Sequence, residues 1–181
     1  MEIIKFGWFP HTFFKFYDII NINDFETIPL IHLSKIGYLG LLKDYFQRIV
    51  VPEAVYKECI VAGKNREEVK FLKEANWIKV KQIKDKNLIK LLESHLDYGE
   101  SEAIALALEI DADLILLDDL DARETARIYD LQITGTIGIL LRAKFEGKIV
   151  SLKDTLRKLM KTGFWINKKL IQELLKFAGE I

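Results

Sequence analysis

Residues Asp113–Leu117 carry an apolar run, Leu114-Ile115-Leu116-Leu117, that stops abruptly at Asp118-Asp119. Four consecutive apolar residues show no helical period and are too few for a helix. They read as a strand buried on both faces. Strands of that kind belong to parallel sheets, where each needs a crossover helix to reach its neighbour. The flanking sequence supplies such helices. Asp97-Tyr98-Gly99-Glu100 looks like a capped helix start and leads into the helix-forming stretch Ala103–Ile110, while Ala122–Tyr129 is helical after the run.

The rest of the chain repeats this alternation. Asp18–Ile22 reads as a first strand and Pro29–Ile36 as a short helix with proline in its first turn. Gly37 and Gly40 precede helical Leu41–Phe46, and Arg48–Val51 is a short β-branched strand. Pro52 opens a helix through Ala62, ended by Gly63. Glu67–Ala75 is a further helix and Trp77–Ile83 has strand character. Leu131–Thr134 is a last strand, and Gly135-Thr136 leads into helix Ile137–Phe145. Ser151–Met160 and Asn167–Ala178 are two terminal helices separated around Gly163. The expected fold is α/β, a central parallel sheet flanked by helices with a C-terminal helical tail. We expect an aromatic N-terminal extension at 1–16, a main domain at 17–150 and a two-helix appendage at 151–181.

Composition narrows the chemistry. Lys plus Arg and Asp plus Glu both number 27, so the formal charge is zero and no general basic coat exists for nucleic acid. Contact with nucleic acid would need a local patch, or a metal that offsets the substrate's charge. Cys59 is the one cysteine, which excludes an intrachain disulfide and cysteine zinc clusters. His11, His32 and His95 have no ligand-like spacing. The aromatic-rich segment Met1–Ile20 is interrupted by Lys5, Pro10, Lys15 and Asp18. It lacks both the long apolar run of a membrane helix and a signal-peptide cleavage site, so a cytoplasmic location away from membranes is expected. Trp8, Phe9, Phe13, Phe14 and Phe16 predict that Met1–Phe16 packs on the core or on a second subunit.

Carboxylates gather in three places. Asp24 and Glu26 follow the first expected strand, Glu100 and Glu102 open the alanine-rich helix, and Asp118, Asp119 and Asp121 follow the apolar run. The carboxyl ends of strands line the ligand crevice of open α/β sheets. Oxygen-only ligands suit Mg²⁺ or Mn²⁺ rather than zinc. Each group also has a structural reading. Asp118 or Asp119 could cap the following helix, Glu100 and Glu102 could complement a helix dipole, and Asp24 and Glu26 could be solvated loop residues. Thr27 and Thr136 suit either a turn or a hydrogen bond to a ligand. Arg123, Arg127, Arg142 and Lys144 are candidate contacts to a nucleic-acid backbone, and Phe164 and Trp165 could stack on a base or pack between the tail helices.

The order of several runs resembles the PIN-domain superfamily, more closely its prokaryotic predicted nucleic-acid-binding subgroup, which is VapC-like. The runs are Pro29–Gly37, Val50–Tyr56, Gly99–Ala107, Leu116–Arg123, Thr134–Leu140 and Thr162–Ile166. The resemblance implies that an acid after the first strand, a glutamate on the middle helix and an aspartate after the later strand bind metal. Here these correspond to Glu26, Glu102 and Asp119, with Asp24, Asp118 and Asp121 as further candidate ligands. The family usually has aspartate at the position of Glu26. The resemblance implies a Mg²⁺- or Mn²⁺-dependent endoribonuclease acting on single-stranded or structured RNA, such as the toxin of a toxin–antitoxin pair. An antitoxin protein and a second copy in a homodimer are the implied partners. The alternative is a PIN-fold nucleic-acid-binding or assembly module whose acidic site has drifted.

Overall fold

The computed structural model describes residues 29–62 and 67–181. The expected strand Asp18–Ile22, the N-terminal extension and its packing, Asp24, Glu26, Thr27 and Gly63 lie outside the described residues. The elements in chain order are α1 (Pro29–Lys35), α2 (Gly40–Phe46), β1 (Ile49–Pro52), α3 (Glu53–Ala62), α4 (Glu67–Glu74), β2 (Ile78–Lys81) and α5 (Lys86–Leu92). They continue with α6 (Tyr98–Glu109), β3 (Ile115–Leu116), α7 (Leu120–Ile128), β4 (Ile133–Thr134), α8 (Thr136–Phe145), α9 (Leu152–Lys161) and α10 (Lys168–Phe177). The chain is therefore mixed α/β, with parallel strands flanked by helices.

Both strand pairings are parallel. Ile49 lies opposite Ile78 through to Pro52 opposite Lys81, and Ile115 and Leu116 lie opposite Ile133 and Thr134. Among the described residues the strands form two separate pairs, β1 with β2 and β3 with β4. The apolar run that predicts a strand over Asp113–Leu117 yields a ladder of two residues, extended by Leu117 N–H donating to Thr134 carbonyl at 2.9 Å. Pro52 ends β1 instead of starting α3, which begins at Glu53. Helix α5 occupies a segment for which the sequence predicts no element. Asp85 caps it by accepting from the Asn87 and Leu88 N–H groups, and Ile89 and Leu92 are its buried residues.

Two apolar clusters hold the elements together. One joins α6 and α7 to β3 through Ile104, Leu106, Ile115, Leu117, Ala122 and Ala126. The other joins α1, β1 and α8 through Leu33, Val51 and Leu140, and it also contains Leu152, Leu156, Leu159, Leu170 and Leu174 of the two terminal helices. Each buried leucine contributes about 1.5–3 kcal/mol relative to exposure. No helix among the described residues is long and apolar enough to cross a membrane.

The loop between α9 and α10 is fastened to α1. His32 is 3% exposed, and its Nδ1 lies 2.7 Å from Thr162 Oγ1. That hydroxyl donates to the Leu159 carbonyl at 2.7 Å, so it accepts from His32, and the imidazole carries its proton on Nδ1. The Phe164 ring meets the imidazole edge-on with centroids 5.0 Å apart. Burial, with Lys35 nearby, lowers the His32 pKa to about 4, so the ring is neutral at ordinary pH.

Candidate functional site

The site grows from the end of β3. Beyond Leu117 the chain turns sharply and places two successive aspartates in different surroundings. Asp118 points inward and is 5% exposed. Its Oδ1 accepts from the Thr136 N–H at 2.7 Å and its Oδ2 accepts from the Thr136 hydroxyl at 2.5 Å. The first of these bonds satisfies an N–H at the start of α8 that has no partner within the helix. Arg123, 3% exposed, donates from Nη1 to the Leu117 carbonyl at 3.1 Å and lies close enough to attract the Asp118 charge. Burial nonetheless pushes the Asp118 carboxyl up to about 6, against the Thr136 bonds and the Arg123 charge that pull it down.

This junction is tight because of Gly135. A Cβ there would sit 2.5 Å from Asp118 Oδ1, 2.7 Å from the Leu117 carbonyl oxygen and 3.2 Å from Arg123 Nη1. Only glycine lets β4 turn into α8 against the end of β3.

Asp119 is the N-cap of α7, accepting from the Ala122 N–H at 2.9 Å, and is partly exposed. One oxygen satisfies the cap, and a carboxylate has a second to offer. Asp121 follows in the first turn of α7 and is exposed.

Helix α6 brings the other acids. The expected helix start is a capping box. Asp97 accepts from the Glu100 N–H at 2.7 Å, and Glu100 Oε2 accepts from the Asp97 N–H at 3.3 Å. Burial raises the Glu100 pKa to about 8, with the Asp97, Asp119 and Asp121 carboxylates adding to the rise. The acids at the start of α6 and of α7 therefore share one field, although Glu100 and Asp119 lie far apart in sequence. Glu102, just past the first turn, is 4% exposed. Its Oε1 accepts from the Tyr98 hydroxyl at 2.7 Å, which raises the tyrosine's pKa. Its Oε2 is buried and has no hydrogen-bond partner among the described residues. A buried carboxylate oxygen with neither donor nor cation is costly.

The electrostatic coupling between Glu100 and Asp119 is the feature that sequence reasoning misses. Its one local signal is the capping spacing of Asp97 and Glu100, which predicts a helix start and nothing more. Among the described residues no group of three or more His, Cys, Asp or Glu side chains is placed to hold a metal ion. Two basic candidates are engaged elsewhere. Arg142 Nε donates to Glu146 at 2.8 Å and its guanidinium lies over the Tyr45 ring, 4.1 Å from the centroid. Lys144 Nζ lies 2.7 Å from Glu180 Oε1. Arg123 is buried at the β3 junction, so it is corrected from a backbone contact to an internal cation, whereas Arg127 remains exposed.

A protein-family model described as a PIN domain matches residues 25–180. Neither a curated protein nor a solved structure matches the chain. The family match takes in Glu26, the acids of α6 and α7 and both terminal helices, and it shows that this chain belongs to the PIN-domain family.

Proposed function

We propose that this PIN domain is a divalent-metal-dependent endoribonuclease whose ligands come from the start of α6, the end of β3 and the segment holding Asp24 and Glu26. PIN-domain membership supports nuclease chemistry in general. The observation that carries the finer reading is the gathering of acids that lack compensating partners. Burial first, and then the Asp97, Asp119 and Asp121 carboxylates, raise the Glu100 pKa to about 8, while Glu102 keeps a buried oxygen without a partner among the described residues. Such acids repel unless a cation joins them. An all-oxygen donor set fits Mg²⁺ or Mn²⁺.

In this reading Glu102 and Asp119 hold the ion, with Glu26 or Asp24 and with Glu100 and Asp121 close by. Bound there, a divalent cation supplies charge neutralisation at the scissile phosphate and a more acidic water. The protein's own part is orientation. The Tyr98 hydroxyl fixes one oxygen of Glu102 so that the other is directed, and the α7 cap fixes Asp119. Asp118 serves the scaffold, since both its oxygens are occupied by Thr136. A VapC-like toxin paired with an antitoxin, working as a cytoplasmic homodimer, is the finer biological reading that the sequence resemblance supports.

Calorimetric titration with Mn²⁺, and cleavage of single-stranded RNA with Mn²⁺ or chelator, test this reading. Glu102→Gln and Asp119→Asn keep size and remove charge, so both should fold while losing metal binding and cleavage. Equal cleavage by wild type and both variants would assign the activity to a contaminant. Neither binding nor cleavage at millimolar Mn²⁺ would favour a binding or assembly module that has lost its catalytic site.

A further inference from the structure

The loop between α9 and α10 displays an aromatic ring in a basic rim. Burial alternates along it: Phe164 and Ile166 are in the core, and Trp165 between them is 48% exposed. The Phe164 contact with His32 and the Thr162 hydrogen bond to the same ring fasten the loop to α1. Trp165 is therefore held outward on an anchored segment.

Charge is unevenly distributed around it. Residues 155–172 contain Arg157, Lys158, Lys161, Lys168 and Lys169 and no Asp or Glu, in a chain whose net charge is zero. All five side chains are exposed. Arg157 pairs with Asp154 at 3.2 Å, whereas among the described residues no carboxylate lies within salt-bridge reach of the four lysines. Lys158 and Lys161 lie in the last turns of α9, where cations suit the helix dipole. Lys168 and Lys169 lie in the first turn of α10, where the dipole opposes them, so helix stability does not account for their placement.

We propose that the α9–α10 loop is a docking surface for single-stranded nucleic acid, with Trp165 stacking on a base and Lys158, Lys161, Lys168 and Lys169 lying along the phosphates. An exposed indole amid unneutralised lysines matches the two demands of a single strand, a π-face for a base and positive charge for the backbone. The proposal rests on the nuclease reading for its biological substrate, but binding does not require cleavage.

The test is fluorescence anisotropy with a labelled twelve-nucleotide single strand, as RNA and as DNA, on the full-length protein in chelator. Stacking and charge do not read the sugar, so both forms should bind within a few fold of each other. Trp165→Ala should weaken binding at least tenfold, and Trp165→Phe should recover most of the loss. Lys161→Gln combined with Lys168→Gln and Lys169→Gln should flatten the salt dependence by about 0.7 in slope per lost phosphate contact. The same number of glutamines at the exposed Lys79, Lys81 and Lys90 should leave that slope unchanged. Thermal melts confirm that the variants fold. Wild-type binding unaffected by Trp165→Ala, or duplex bound as tightly as single strand, would overturn the proposal. With Mn²⁺ in place of chelator, intact binding by Asp119→Asn without cleavage would support it, and wild-type binding without cleavage would sink only the nuclease reading.

Discussion

His32 provides a measurement in which the difference between two pH profiles isolates one side chain. The imidazole is buried, donates from Nδ1 to Thr162, and leaves Nε2 without a partner among the described residues. Adding a proton would bury an unpaired charge, which is why the pKa falls from 6.5 to about 4. The unfolded chain takes that proton near pH 6.5 and the folded one only near 4. Between those values the unfolded state binds more protons, so stability rises with pH. The His32 contribution is complete above about pH 6.5 and is lost as pH falls towards 4. Each pH unit between the two values is worth about 1.36 kcal/mol, so the full loss is about 3 kcal/mol, of which about 2 kcal/mol is gone at pH 5. Glu100 and Asp118, with raised pKa values, titrate in the same window with the opposite sign, so the His32 loss is read as the difference between wild-type and His32→Asn urea denaturation profiles from pH 4.5 to 8. His32→Asn keeps a donor for Thr162 but cannot titrate, so it should be less stable at pH 8 and less sensitive to acid. Parallel pH profiles for the two proteins would refute the reasoning, as would an NMR titration placing the His32 ring near 6.5.

Three further outcomes follow from the geometry. Gly135→Ala should destabilise by about 1–3 kcal/mol in chemical denaturation, because the methyl meets a backbone carbonyl as well as Asp118. Glu180→Gln should lower the melting temperature and cost about 1–3 kcal/mol, since Glu180 accepts from the Leu152 and Lys153 N–H groups at the start of α9 and pairs with Lys144. Glu102→Gln should raise the thermal stability of the metal-free protein while abolishing cleavage, because it lowers the charge at a buried oxygen without a partner among the described residues; a loss of stability with activity retained would mark Glu102 as a structural residue.

The helices are legible in the sequence because they obey local rules. Asp97 and Glu100 are a capping box, one of the pair Asp118-Asp119 is a cap, and the run before them contains a strand, since each depends on residues within a few positions. Helix α5 carries a weaker signal, a cap at Asp85 and two buried residues, and the sequence does not announce it. Sequence also places the acids at the ends of elements, which is as far as spacing reaches. It cannot assign the neighbours Asp118 and Asp119 to different environments. That division is made by Thr136 and Gly135, which follow the adjacent strand and approach only when β3 and β4 pair. Arg123 has the sequence signature of a surface cation on a helix, and packing at the β3 junction buries it. Hydrogen-bond capture and desolvation depend on what arrives from elsewhere in the chain, and residue type alone does not fix them. Helix starts and periodicity were therefore settled by the sequence, while the choice of Asp119 over Asp118 as the α7 cap and the direction and surroundings of the acids were decided by tertiary contacts.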